Sequence, residues 1–190
     1  LVYEVNVQEV IITIASVVCY RYKGVPCADS LNKEVTLLCT EISTSQVPQA
    51  LLLEADPSEH NIRQYMRDAW CYVVKAESQI VAACVVGSKN VPCVEIFNVS
   101  VLPAFQQQGI GTKLLKYVLA GLVEKQAIRV ELSTGAFGYQ LTYYQRLGFR
   151  VGSVVKDHFV RHYAEPIIED GIQHKDALRL YINLGDSDGV

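Results

Sequence analysis

Val94-Glu95-Ile96-Phe97-Asn98-Val99-Ser100-Val101, Leu102-Pro103-Ala104-Phe105, Gln106-Gln107-Gln108-Gly109-Ile110-Gly111 and then Thr112 through Lys125 read, in that order, as strand, turn, glycine loop and helix. The strand segment is rich in β-branched and aromatic residues, and Pro103 has no N–H for a ladder, so the strand ends near Val101. From Ile110 the apolar positions Ile110, Leu114, Val118 and Leu122 recur at every fourth residue, with Lys113 and Lys116 between them and Lys125 after them. That period marks one buried helical face. The glycines stand at the mouth of this helix, where unpartnered N–H groups and the helix dipole attract an anion and a missing Cβ lets phosphate oxygens reach the main chain. A dinucleotide fingerprint would need a third glycine where Leu114 stands, and a P-loop would need Gly-Lys-Ser/Thr where the chain has Gly111-Thr112-Lys113. What remains is Gln-x-x-Gly-x-Gly on a strand-to-helix turn, a pattern that a plain two-glycine loop also satisfies.

Outward from this stretch the alternation is orderly. Val35 to Ile42 reads as a first strand, and Ser43-x-x-Gln46 as a capping box opening a short helix through Leu53, with Pro48 in its first turn. Asp56-Pro57-Ser58-Glu59 starts a second helix, with Ile62, Tyr65, Met66 and Ala69 on one side. Cys71 to Lys75 and Ile80 to Gly87 form a hairpin around Ala76-Glu77-Ser78-Gln79, and Ser88-Lys89-Asn90 turns the chain into the strand at Val94. Past the Gly109 to Lys125 helix come a strand at Ile128 to Leu132 and a helix at Phe137 to Leu147, closed by Gly148 as a left-handed cap. Val151 to Val160 and Ala177 to Leu184 are the last strands. The connection Arg161 to Asp176 is longer than a hairpin needs, and such loops are often functional. The tail Gly185 to Val190 is small and polar.

Half of the 190 residues are hydrophobic and 19% are charged, enough to bury a core without disulfide or metal staples. The net charge of −3 and the lack of a Lys/Arg cluster argue against nucleic acid or an anionic membrane as partner. Cys19, Cys27, Cys39, Cys71, Cys84 and Cys93 form no C-x-x-C pair, which reads as free thiols in a reducing compartment, the cytoplasm. His158 and His162 fall in a strand-like segment and read as surface or loop histidines, with no metal expected. Residues 1–34 form an N-terminal extension. Its apolar run Val10 to Val18 is too short to cross a bilayer, and Glu4 and Glu9 stand where a signal peptide would carry basic residues. An edge strand, an oligomer contact such as a homodimer, or residues left from production remain open for it.

Gln106-x-x-Gly109-x-Gly111 after an apolar strand, followed by Tyr143-Tyr144-Gln145-Arg146-Leu147-Gly148-Phe149, resembles the GNAT superfamily of acyl-coenzyme A-dependent N-acetyltransferases. The resemblance covers residues 35–184. It implies an α+β fold: a mixed, mostly antiparallel sheet of about seven strands, splayed between the fourth and fifth and flanked by about four helices. It implies acetyl-coenzyme A as co-substrate, with the pyrophosphate held by backbone amides of Gln107, Gln108, Gly109, Ile110, Gly111 and Thr112, and with side-chain help from Gln106 and Gln108. The pantetheine arm would pair with Val99, Ser100 and Val101 as one more strand, and a backbone N–H there would hold the thioester oxygen. Tyr144 is placed where the family's acid protonates the leaving sulfur, and a phenol near its ordinary pKa of about 10 would serve. Many relatives carry a cofactor-contacting Asn just before that helix. This chain has none between Asn98 and Asn183, and Ser133 or Thr134 would substitute.

Glu95 is the expected base, because an acid in the most apolar strand is costly unless solvated, paired or used, and the family often has Glu at this point. A salt-bridged Glu is the structural alternative. Glu54, Asp56, Glu59, Glu165, Glu169 and Asp170, on the first helices and the long connection, favour a small cationic amine as acceptor. Direct attack in a ternary complex is expected, since no Cys or Ser stands beside a His. A protein lysine or N-terminal acetyltransferase, and a non-catalytic coenzyme A-binding sensor, are the alternatives.

Overall fold

The computed structural model describes residues 10–12, 35–90 and 92–185. Its spine is an eight-stranded sheet built from β1 (Val10–Ile12), β2 (Val35–Ile42), β3 (Ala69–Ala76), β4 (Gln79–Asn90), β5 (Cys93–Val101), β6 (Arg129–Gly135), β7 (Arg150–Val155) and β10 (Ala177–Asn183), in the order β1-β2-β3-β4-β5-β6-β10-β7. A separate two-stranded hairpin, β8 (Ile168–Glu169) with β9 (Ile172–Gln173), lies in the connection before β10. The short β1 pairs antiparallel with β2 as an edge strand, and the other residues of the 1–34 extension, Cys19 and Cys27 included, lie outside the described residues, as does most of the tail. Without β1, seven strands remain, mostly antiparallel. The one parallel pair is β5 with β6, the fourth and fifth of the seven.

Two apolar layers cover the sheet. On one face α3 (Ile110–Glu124) sinks Ile110, Leu114, Leu115, Val118 and Leu122 onto Tyr72, Cys84, Ile96 and Leu132, and α4 (Tyr139–Arg146) packs beside it. On the other, α1 (Gln49–Leu53) and α2 (Glu59–Tyr65) cover Cys71, Val73, Ala83 and Val85. Each fully buried Leu or Val of these layers contributes about 1.5–3 kcal/mol. Removing Leu114 or Leu122 would open the larger layer.

Local chemistry moves several boundaries from where the sequence pattern set them. The helix expected from Ser43 through Leu53 is two pieces, because Pro48 lacks an N–H and forces Val47 into an extended conformation: a capping-box 3-10 turn at Thr44–Gln46, then α1 with Pro48 as its N-cap. The second helix starts after Ser58 rather than Asp56. Ser58 accepts from the Asn61 amide at 3.3 Å, while Asp56 Oδ1 accepts from the Ser58 amide at 2.9 Å in the turn before it. Ala69 belongs to β3, and β4 runs on to Asn90 through the residues expected to turn. The strand expected over Val151 to Val160 stops at Val155. Asp157 turns left-handed at φ 58°, its N–H bonds Asp176 Oδ1 at 2.7 Å, and α5 (His158–His162) follows. The two histidines are therefore ring-stacked on a helical turn at 4.6 Å, not in a strand.

Candidate active site

The sheet opens at one point. β5 and β6 pair only from Cys93 with Arg129 to Ile96 with Leu132; beyond that, β5 stays with β4 while β6 stays with β10, so the two part. A bulge sharpens the fork. On β4, Val85 faces Asn98 but Val86 faces Ile96, leaving Phe97 as the extra residue of β5. The bulge exchanges the faces: Val94 and Ile96 before it, and Val99 and Val101 after it, all meet the α3 core, whereas Asn98 turns to α1 and donates to Leu52 O at 3.0 Å. The resulting cleft of about 1630 Å³ runs from the α1–α2 connection past the fork to the start of α3. It exceeds the roughly 300–1,000 Å³ usual for a small ligand, as a long cofactor plus an acceptor requires.

At its far end stands the glycine turn. Gln107 and Gly109 are both left-handed, at φ 58° and 76°, which turns successive amides toward one concave side. Lys113 is the first residue of α3 whose N–H finds an intrahelical carbonyl, that of Gly109 at 3.0 Å, so the amides of Ile110, Gly111 and Thr112 precede the ladder. Space around Gly109 is open within 4 Å of where a Cβ would stand. A diphosphate fits this cradle by charge and shape. Gln106 and Gln108 act differently from expectation: Gln106 Nε2 donates to Val101 O at 2.9 Å and Gln108 Nε2 to Ala104 O at 3.0 Å, so both side chains brace the turn. Gln107, Gly109, Ile110, Gly111 and Thr112 line the cleft with Gln106; Gln108 does not.

Val99, Ser100 and Val101 line the cleft from β5 and Ser133 and Thr134 from β6. Ser100 Oγ is buried without a hydrogen-bond partner. Glu95 lies at the fork on the face opposite α3, ion-paired with the Arg179 guanidinium from β10. Arg179 also bonds Glu131 at 3.0 Å and Ser133 Oγ at 3.1 Å, and Arg129 holds Glu131 at 2.7 Å. The hydrogen bond to Glu95, first, and the Glu131 carboxylate hold the Arg179 pKa above its ordinary value, and the Arg129 hydrogen bond chiefly holds Glu131 below the usual carboxylate range. On the other face Tyr144 is wedged edge-on between Tyr143 and Phe149, with ring centroids at 5.0 and 5.8 Å. Burial pushes its hydroxyl well above the ordinary tyrosine range, which corrects the expectation of an unshifted phenol: the group stays an O–H donor.

The family follows from comparison. Residues 67–151 match the family model described as "Acetyltransferase (GNAT) domain". The uncharacterized N-acetyltransferase YvbK of Bacillus subtilis (strain 168) is 36% identical over 135 residues, covering 70% of this chain and 87% of that protein. A GNAT family acetyltransferase from Elizabethkingia anophelis, solved with acetyl-CoA bound, is 34% identical with a TM-score of 0.75, over 78% of this chain and 98% of that one. An IAA acetyltransferase from Bacillus cereus is 35% identical with a TM-score of 0.75, over 78% and 99%. The chain belongs to the GNAT acetyltransferases. It is an acyltransferase, and the splayed mixed sheet expected from its two motifs is the fold it adopts.

Some residues of this GNAT site escaped the sequence pattern. Glu131 faces Glu95 through the β5–β6 pairing and Arg179 reaches both across the β6–β10 pairing, and nothing local marks either residue. Tyr143 brings its hydroxyl to the start of α3, 3.1 Å from where a Gly111 Cβ would stand, buried and without a partner of good geometry. Of the acids expected around the acceptor, Glu54, Asp56 and Glu169 line the cleft. Glu59 instead pairs with Arg63 at 3.1 Å, and Glu165 and Asp170 are exposed outside the cleft lining. Among the described residues no group of three His, Cys, Asp or Glu is placed to hold a metal, and no helix is long and apolar enough to cross a membrane.

Proposed function

We propose that this GNAT enzyme moves the acetyl group of acetyl-coenzyme A to the primary amine of a small cationic molecule by direct attack in a ternary complex. The observation that carries the reading is the fork between Ile96 and Leu132. It opens at one end on the amide cradle of Gln107 to Thr112 and holds a carboxylate, Glu95, at its apex. Acetyl-coenzyme A, when bound, supplies the acyl group as a thioester. A free alkylamine has a pKa of about 10.4 and arrives protonated, so Glu95 takes its proton, directly or through water. Arg179 retains Glu131 and Ser133 as acceptors when Glu95 turns to the ammonium, so the guanidinium stays anchored. An amide of the Val99 to Val101 segment holds the carbonyl oxygen as charge builds there, the new C–N bond forms as the C–S bond breaks, Tyr144 gives the sulfur its proton, and the second proton that the nitrogen sheds in becoming an amide returns, through water, to the phenolate.

Glu54, Asp56, Asp68, Glu95 and Glu169 around the cleft outnumber Arg67 and Arg146, which supports a cationic acceptor. Free thiols at Cys39, Cys71, Cys84 and Cys93 support the reducing cytoplasm as the working compartment. Glu95→Gln and Tyr144→Phe test the chemistry. Both should keep coenzyme A affinity by calorimetry, and Glu95→Gln should lower kcat on polyamines by about 10²–10⁴. Tight coenzyme A binding by the wild-type chain without thiol release on any amine of a broad panel would favour a sensor module instead. Preference for acidic peptides or neutral amino acids over polyamines would overturn the acceptor class.

A further inference from the structure

Phe97, the extra residue of the β5 bulge, lies beside Glu95. Glu95 pairs with Gly87 of β4, and the adjoining pair, Val86 with Ile96, sits in the α3 layer, so Gly87 and Glu95 point to the opposite face. The Cβ positions of directly paired residues stand about 5 Å apart. A Cβ on Gly87 would meet Phe97 Cε2 at 2.1 Å and Cζ at 2.9 Å, so the Phe97 ring fills the place where Gly87 has no side chain. The ring therefore rests on the face of the sheet that carries Glu95, next to its side chain.

The ring is backed as well as seated. Tyr65 of α2 stacks on it at 5.4 Å with the two planes 12° apart. The Tyr65 hydroxyl accepts from Asn98 Nδ2 at 3.1 Å and donates to the buried Asp56 carboxylate, whose Oδ1 also takes the Ser58 amide at 2.9 Å. Both rings are half-buried and line the cleft together with Glu95. An amine held at Glu95 therefore has its neighbouring carbons within reach of a fixed apolar wall. We propose that Phe97, with Tyr65 as its positioning residue, selects acceptors whose primary ammonium is carried on a hydrocarbon segment, alkyl or aryl, over amines whose neighbouring carbons bear hydroxyls. Hydrocarbon laid on the ring leaves water at a gain, whereas a hydroxyl there gives up hydrogen bonds that a phenyl ring does not replace. This rests on Glu95 receiving the amine.

Phenethylamine and glucosamine each carry one primary ammonium, so the acids around the cleft do not separate them, and thiol release gives kcat/KM for both. The wild-type chain should prefer phenethylamine by about tenfold or more. Phe97→Ser should reduce that preference about five- to tenfold, through the phenethylamine KM and with coenzyme A affinity unchanged by calorimetry, and Phe97→Leu should recover part of it. Tyr65→Leu, which removes the stack, should reduce the preference about two- to threefold, and Tyr65→Phe should restore it; no change in Tyr65→Leu would take Tyr65 out of the assignment. Should Phe97→Ser fold poorly, Gly87→Ala keeps Phe97 but denies its ring the seat, and should reduce the preference likewise. Equal losses on both acceptors, or a preference that survives Phe97→Ser and Gly87→Ala, would overturn the proposal, as would a wild-type chain that favours glucosamine. Thiol release with neither amine, while phenethylamine binds the coenzyme A-loaded chain and binds it more weakly after Phe97→Ser, would remove the transferase reading and keep the subsite. Neither turnover nor binding of either amine would remove both.

Discussion

The two ends of the cleft are built by different means. The cradle between Gln106 and Thr112 is contiguous in sequence and works through its backbone, with Gln107 and Gly109 left-handed and the side chains of Gln106 and Gln108 turned back to brace the turn. The fork is assembled from side chains far apart in sequence: Glu95 on β5, Glu131 and Ser133 on β6, and Arg179 on β10. A backbone site tolerates side-chain changes and fails when its conformation is denied. A side-chain site fails when one charge is removed. Substitutions at the two ends should therefore separate binding from turnover.

The largest effect on coenzyme A affinity is expected at Gly109. A β-branched residue at φ 76° is strained by about 1–3 kcal/mol and projects into the open space of the cradle. Gly109→Val should weaken coenzyme A by about a hundredfold by calorimetry while the folded chain keeps its circular dichroism. Unchanged affinity would show that the cradle does not bind the diphosphate through its backbone.

The same contrast explains what could be read in advance. Gln106-x-x-Gly109-x-Gly111 and the Tyr144 to Phe149 segment are local, so their periods and turn residues announce a strand, a cradle and a capped helix before any tertiary contact is known. Arg179 could not be found that way. It lies in an alternating strand where Ala177, Leu178 and Leu180 look like ordinary core, and its partners come from register alone. The bulge at Phe97 has no glycine or proline within β5 to announce it, since the glycine that makes room for its ring is Gly87 on β4, yet it decides which face Asn98 meets. His158 and His162 escape a strand reading for a similar reason: Val151, Val154, Val155, Phe159 and Val160 give the stretch a strand-like look on both sides of Lys156 and Asp157, and the left-handed Asp157 that follows the strand is a conformation Asp tolerates without requiring it.

At the fork, Arg179→Met should leave coenzyme A affinity unchanged and lower kcat about tenfold, because Glu95 loses the group that fixes it. It should also move the acidic limb of the kcat profile to higher pH: removing a neighbouring positive charge raises the pH at which a carboxylate protonates. Arg179→Lys should restore part of both, as a point charge without the bidentate fork. A profile that does not move in Arg179→Met would separate Arg179 from the proton transfer. Glu131 offers a smaller, thermodynamic version of the test. Its pKa is lower in the folded chain, chiefly through the Arg129 hydrogen bond, so the stability it adds is present above the unfolded value of about 4.5 and lost as pH falls through the folded one. Glu131→Gln should cost less than about 1 kcal/mol at pH 7 in urea unfolding, and the difference from wild type should vanish at low pH.

The smallest effect sharpens the account of the cradle. Gln106 and Gln108 both flank the glycines, and a pattern-based reading gives both a contact with the cofactor. Gln106 lines the cleft and its amide reaches back to Val101 O, at the end of the strand beside which the pantetheine arm would lie. Gln108 bonds Ala104 O on the outer side of the turn and stays out of the cleft. Exposed hydrogen bonds of this kind contribute about 0.5–1.5 kcal/mol. Gln108→Ala should then leave the coenzyme A dissociation constant within about twofold of wild type, with any loss confined to thermal stability, whereas Gln106→Ala should weaken coenzyme A about three- to tenfold by loosening the junction of strand and turn. Equal losses of affinity from the two variants would mean that the amides of Gln107 to Thr112 depend on side chains from both flanks. The cradle would then be a side-chain site like the fork, and the contrast between the two ends of the cleft would disappear.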